Sequence, residues 1–215
     1  MNSRSFTLAE LCDHLQQQVN GTVYPPGRRV QVALASYCIV QEHHVAIAVL
    51  LDEGLYASAF ALSRALYEAT VKGLWISHCA TEAKAEKYAR GQELPELQKL
   101  VDDLSNATIP AVVQIHLGNV KKKYWKVLSS LTHAGHAQVK RWLSPLGVEP
   151  VYTEAEVREV VNFTAFFAIV ASMERARLGA NQQAMSEIAL LLPTAYSAES
   201  DRRFRLKVTG ESGAK

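Results

Sequence analysis

The chain has 215 residues, 48% of them hydrophobic and 20% charged, with a formal net charge of +2 and a pI near 8.4. That is ample for one globular core, and the charge is too mild to argue for nucleic acid on its own. Cys12, Cys38 and Cys79 are scattered, odd in number and never in a Cys-x-x-Cys arrangement, which favours reduced thiols in a cytosol over a disulfide frame or a zinc knot.

Taken in order, the segments read as helices, and none makes a convincing strand. Thr7-Leu-Ala-Glu10 fits a capping box opening a helix to about Val19. The N-terminal stretch before it lacks the apolar core of a signal peptide. Asn20 to Gly27 contains Pro25-Pro26 between glycines and is expected to be a loop. A long helix is expected from about Arg29 to Glu53, closed by Gly54 as a C-cap. The next begins at Leu55 and runs to His78, so the two should form an antiparallel hairpin, packed closely through Ala35, Ala46, Ala48, Ala57, Ala59 and Ala61.

Two more polar helices are expected, one capped by Thr81 and running to about Arg90, one starting at Pro95 and running to about Asn106. Pro110 reopens a helical pattern that should break or bend near Gly118 and continue from Asn119 to Leu131. Thr132-His133-Ala134-Gly135-His136 reads as a bend, followed by a helix to Leu143 and a loop over Ser144 to Pro150. Thr153-Glu-Ala-Glu156 is the strongest capping box of the chain and opens a long helix to about Leu178. Its uncharged run, Val160 to Met173, is short of the roughly 20 apolar residues of a membrane span and reads as a core helix. Asn181 caps a last helix before Pro193. The organisation expected is an N-terminal helix and Pro/Gly loop over residues 1–28, an all-α antiparallel bundle over 29–192, and a polar basic tail over 193–215, loosely ordered and carrying Arg202, Arg203, Arg205 and Lys207.

Within the second long helix, Arg64 and Glu68 lie one turn apart in an otherwise apolar segment. A helical wheel places Phe60, Ala61, Val71 and Trp75 on their face and Leu55, Leu62, Leu66 and Gly73 opposite, so no solvated face is evident and the pair is expected to be buried. An arginine held there can present its planar fork to phosphate or carboxylate, with Glu68 orienting it or acting as a base. Lys72, one turn further, could extend the positive site or snorkel to water. His133 and His136 are three apart. They could share a metal, act singly as an acid or base, or simply pack in a turn. No complete metal-ligand set is evident, and no cofactor is expected. His43 and His44 point about 100° apart on a helix. Lys121-Lys-Lys123-Tyr-Trp125-Lys126 mixes cations with aromatics, a combination that can bind a phosphate backbone. Its plainer reading is a solvated helix face with Tyr124 tucked inward. There is no Gly-rich phosphate loop, no Gly-x-Ser-x-Gly and no dinucleotide fingerprint.

Leu62-Ser-Arg64-Ala-Leu-Tyr-Glu68-Ala-Thr-Val-Lys-Gly-Leu-Trp75, together with Ser130-Leu-Thr-His133-Ala-Gly135, resembles an uncharacterised bacterial group related to the HEPN (higher eukaryote and prokaryote nucleotide-binding) domains. The resemblance runs from about Val30 to Leu192. It implies an up-and-down helical bundle that dimerises, working either as a binding module or as a metal-independent endoribonuclease of toxin–antitoxin or phage-defence systems. Active members carry an arginine, four to six intervening residues and a histidine. Here the chain departs: counted back from His133 the candidates are Lys126, Val127 and Leu128, and from His136 they are Ser129, Ser130 and Leu131. No arginine is in register, and a lysine lacks the bidentate fork. The expectation is therefore a site in which Arg64, Glu68 and His133 converge, with Lys72, Lys126 and His136 as further ligand-binding residues. Its ligand would be a nucleotide or RNA. The other partners expected are a second copy of the chain and an antitoxin-type protein, with no membrane involved. The alternatives are a ribonuclease in which Arg64 neutralises the phosphate and His133 moves the proton, and a partner-binding bundle in which Arg64 and Glu68 only fix packing.

Overall fold

The computed structural model describes residues 6–192; the basic tail expected over 193–215 lies outside them. The chain is an all-α bundle. The first helix, α1 (Leu8–Val19), starts on the expected box: Glu10 N–H donates to Thr7 Oγ1 at 3.1 Å and Thr7 N–H to Glu10 Oε2 at 2.7 Å. After the Pro/Gly loop come α2 (Arg28–Asp52) and α3 (Tyr56–His78). Their corner is a complete Schellman turn, with Gly54 at φ +71°, Gly54 N–H on Leu51 O at 3.2 Å and Leu55 N–H on Leu50 O at 2.7 Å. The two helices then pack side by side so closely that a β-carbon at Gly73 would sit 2.7 Å from the Tyr37 ring.

The long α9 (Glu154–Leu178) lies across both, started by the Thr153–Glu156 box. Its Phe163, Phe166 and Phe167 form an edge-to-face aromatic seam that meets Tyr67 of α3, with the Tyr67 and Phe167 rings 5.4 Å apart. Buried Gln41 of α2 is satisfied across this layer by Ala168 O at 3.0 Å and Ser172 Oγ at 2.7 Å. Around this core stand α4 (Glu82–Ala89), capped by Thr81, and α5 (Leu97–Leu104). They are followed by α6 (Ala111–Asn119), α7 (Trp125–Thr132), the short α8 (His136–Val139) and α10 (Gln182–Ala189), which Asn181 caps. By length and composition alone α2 could cross a membrane, but its Tyr37, Val40 and Ile47 are sealed in the core.

Three local expectations change. The irregularity expected at Gly118 falls two residues later, where Val120–Tyr124 makes one π turn and Gly118 stays helical. A π turn takes an extra residue and rotates everything after it by about 100°. Trp125 is therefore the residue turned inward, and Tyr124 is 52% exposed. The helix expected to reach Leu143 stops at Val139 and passes through a 3-10 turn, Lys140–Trp142. The following loop is a small hairpin, β1 (Leu143–Ser144) pairing antiparallel with β2 (Gly147–Val148). Pro145, whose nitrogen carries no hydrogen, sits harmlessly in its turn.

Candidate functional site

The outer strip of α3 carries Ala61, Leu62, Arg64, Ala65, Glu68, Ala69 and Lys72, all only partly buried. The wheel reading needs correction here. Alanines count as apolar but lose little when left near water, so a strip rich in them can lie at the rim of the bundle. The Arg64 and Glu68 side chains retain 21% and 27% exposure, so the pair lines an open edge instead of a sealed core.

Arg64 Nε donates to Glu68 Oε1 at 2.7 Å, and Lys72 Nζ lies 4.0 Å from Glu68 Oε2. The other end of the guanidinium reaches the end of α7, where Arg64 Nη1 lies 2.9 Å from His133 Nε2. A guanidinium has only donors, so Arg64 donates and His133 accepts; the imidazole in this contact is neutral, with its proton on Nδ1. The guanidinium also stacks on the Trp125 ring, with Cζ 4.5 Å from the ring centroid. Lys121 Nζ approaches the same indole at 4.0 Å. Burial, with the charge of Arg64 added, holds the Lys121 ammonium below its ordinary pKa, against the opposing pull of Glu68 and Glu96.

The positions of these groups follow from local structure. His133 is the C-cap of α7, and the turn after it is another Schellman turn, with Ala134 at φ +50° and Gly135 N–H on Ser130 O at 2.7 Å. A β-carbon at Gly135 would come 2.5 Å from Ser130 Oγ, the atom that accepts from Ala137 N–H at 2.9 Å. The turn is tied to α3 by Gln138 Nε2, which donates to Ala57 O at 2.8 Å. Thr132 Oγ1, which donates to Leu128 O at 2.9 Å, also lies 3.3 Å from Ala61 O. Beneath the site, Tyr67 O–H donates to Leu117 O at 2.9 Å and holds α6 in place.

Of the residues singled out in the sequence, Arg64, Glu68 and His133 therefore meet, with Lys72 at the margin. Lys126 and His136 are exposed and make no hydrogen bond or ion pair with them among the described residues. Lys121 and Trp125 are the members that reading by spacing missed as part of this site. Their basic-aromatic run was visible, but the π turn that swings it onto Arg64 has no signature in residue type.

A second polar network went unread. Glu174 of α9, sealed from solvent, accepts from His78 Nε2 at 2.9 Å and Arg177 Nε at 2.9 Å, with Tyr37 O–H more distant at 3.5 Å. Tyr37 also meets Ser77 Oγ at 3.0 Å. Burial pushes the Glu174 carboxyl up, but the bond and charge of His78 and the charge of Arg177 outweigh it and leave the group below the usual carboxylate range. This network joins α2, α3 and α9 and reads as architecture.

The chain belongs to DUF6988, a family of unknown function whose profile matches residues 37–197, a span that includes Arg64, Trp125 and His133. Neither a curated protein nor a solved structure matches it.

Proposed function

We propose that this DUF6988 member is a HEPN-like binding module whose Arg64–His133 site takes an anionic ligand, the phosphate of a nucleotide or of RNA. One observation carries the reading: a guanidinium and a neutral imidazole from helices far apart in sequence meet at 2.9 Å on an open edge. A pair needed only for packing gains nothing from solvent access. A phosphate site requires it, along with further cations at hand, such as Lys121 over the Trp125 ring and Lys72 at the margin. The same reading takes the protein as cytoplasmic and homodimeric, in a bacterial defence or toxin–antitoxin system with an antitoxin-type partner. The exposed apolar residues Ile39, Val45 and Val49 of α2 and Leu55 beside them offer a face for the second copy.

The test is calorimetric titration of the full chain with a nucleoside monophosphate and a short single-stranded RNA at low ionic strength. Arg64→Ala should weaken binding by about tenfold or more, the scale of a lost charge-assisted hydrogen bond, and Lys126→Ala should change it little. Binding indifferent to Arg64→Ala would overturn the assignment.

The juxtaposition of His133 and Arg64 also supports a second reading, a metal-independent endoribonuclease. Arg64 would turn its Nη1 from His133 to the scissile phosphate; the freed His133 Nε2 would take the proton of the ribose hydroxyl as its oxygen bonds to phosphorus, and return it to the leaving oxygen as that P–O bond breaks. That reading requires RNA cleavage in chelator that disappears in His133→Ala.

A further inference from the structure

The contact between Arg64 and His133 holds only while the imidazole has a lone pair to offer. Arg64 Nη1 donates across 2.9 Å to His133 Nε2. A guanidinium stays protonated and has no acceptor; an imidazole that takes a second proton has none either. That proton turns a donor–acceptor pair into two donors facing each other. The charged groups around the ring come from several elements. On α3 stand Arg64, Glu68 bonded to its Nε at 2.7 Å, and Lys72, 4.0 Å from the other oxygen of Glu68. The π turn brings Lys121, 4.0 Å from the Trp125 ring centroid, and Glu96 acts on Lys121 through its charge alone. Lys126 of α7 and His136 of α8 are exposed and make no hydrogen bond or ion pair with the cluster among the described residues. No carboxylate among those residues forms an ion pair with His133.

From this geometry we infer that the Arg64–His133 junction binds its anion together with a proton: His133 protonates as the anion arrives, and its Nε2–H joins Arg64 as a second donor. The inference rests on the proposed phosphate-binding role of Arg64. In the empty site a proton on His133 costs the bond from Arg64 and sets two cations side by side. An oxyanion between them accepts from both and offsets both charges. The proton comes from solvent, which reaches the exposed ring directly, and no covalent bond forms or breaks. The occupied site therefore holds more protons than the empty one. Affinity rises as pH falls through the range in which imidazoles titrate, around 6.5. The coupling is reciprocal, so the anion favours the proton as much as the proton favours the anion. His133 thus serves the site in two forms: neutral, it parks the guanidinium; protonated, it helps hold the ligand.

The probe is inorganic sulfate, a tetrahedral oxyanion whose own charge stays constant from about pH 6 to about pH 8, whereas phosphomonoesters titrate at about 6. It is titrated into the full-length protein at constant ionic strength. Sulfate should bind about tenfold more tightly at the lower pH than at the higher, the scale of one charge-assisted contact. With 15N labelling, saturation near neutral pH should move the His133 ring towards its doubly protonated form and leave the His136 ring unmoved. His133→Gln, which offers an N–H without titrating, should remove most of the pH dependence, and His136→Ala should leave it whole. Equal affinity at both ends of the range, a pH dependence that survives His133→Gln, or a His133 ring that stays neutral in the sulfate complex overturns the proton coupling. In each of those cases sulfate still binds through Arg64, and the phosphate site stands. If sulfate does not bind at either pH, or if Arg64→Ala leaves its binding unchanged, the inference and the phosphate-binding reading fall together.

Discussion

Glu68 and Glu174 each pair with an arginine of their own helix, and their surroundings give the two pairs different worth. Glu68 faces Arg64 at the rim, where solvent screens the pair and competes for its hydrogen bonds. Glu174 is sealed with His78, Tyr37 and Arg177 around it. Removing Arg64 should therefore cost about 1–2 kcal/mol, mostly its stacking on Trp125 and its partly exposed ion pair. Replacing Glu174 by alanine should cost about 3–5 kcal/mol, because it empties a sealed position and removes the acceptor that His78 and Arg177 share. Denaturant unfolding of the two variants measures the difference; equal losses would mean that Arg64 is as structural as Glu174. Reading by residue type singled out the wrong member of this contrast as the buried one. Arg64 and Glu68 stood out because their helix is rich in alanine, whereas Met173-Glu174-Arg175 looks like the polar end of a helix. Burial of Glu174 depends on which helices arrive from elsewhere, and the local pattern does not record that.

At the level of elements, the site depends on how α7 begins and ends. It ends in a Schellman turn whose left-handed residue is Ala134, at φ +50°. A residue with a β-carbon pays a penalty in that conformation that glycine does not. Ala134→Gly should raise stability by about 1 kcal/mol, the size of the left-handed penalty less the entropy of the freer chain. It should leave the His133 contact in place. Gly135→Ala should do the opposite, since its β-carbon would press on Ser130 Oγ at 2.5 Å and displace the turn that carries His133. Thermal unfolding of both variants checks the signs; destabilisation by Ala134→Gly would show that the turn is held by more than its backbone. This bend was legible, because Thr-His-Ala-Gly interrupts an apolar rhythm. So were the capping boxes at Thr7 and Thr153 and the stop at Gly54, each a short-range pattern with a mechanism. The π turn at Val120–Tyr124 and the hairpin at Leu143–Val148 were not. Nothing in Lys121-Lys122-Lys123 separates a π turn from an α turn, and strands of two residues are too short to show alternation.

For the molecule as a whole, acid should expose the cost of its buried imidazoles. Burial holds His44, with only the backbone of Leu8 pulling the other way, and His116, stacked 4.1 Å from the Phe166 ring, down to about 4. Unfolded, both return to about 6.5. The unfolded chain therefore binds protons that the folded chain refuses. Stability falls as pH drops from about 6.5 towards 4 and levels off below the folded values. The Glu174 carboxyl, held low, adds a loss that begins below its ordinary value near 4.5. Unfolding free energies measured across this range should fall by about 3 kcal/mol for His44 alone, and His44→Leu should remove that share and leave the part due to His116. A flat profile in the native protein would contradict the burial of both rings. The bundle, its order of helices and its central hairpin were all readable from periodicity. The pairing of α7 with the outer strip of α3, which makes a site out of residues 69 positions apart, is a tertiary fact.

The site is reached most directly by nuclear magnetic resonance of the full-length protein, labelled with 15N, during titration with a nucleoside monophosphate. The Arg64 Nε–H and the His133 ring nitrogens should shift together and saturate with one dissociation constant, and the His78 ring, in the Glu174 network, should stay where it is. Saturable binding that leaves both Arg64 and His133 unmoved, or no binding at all, would contradict a phosphate site at their junction.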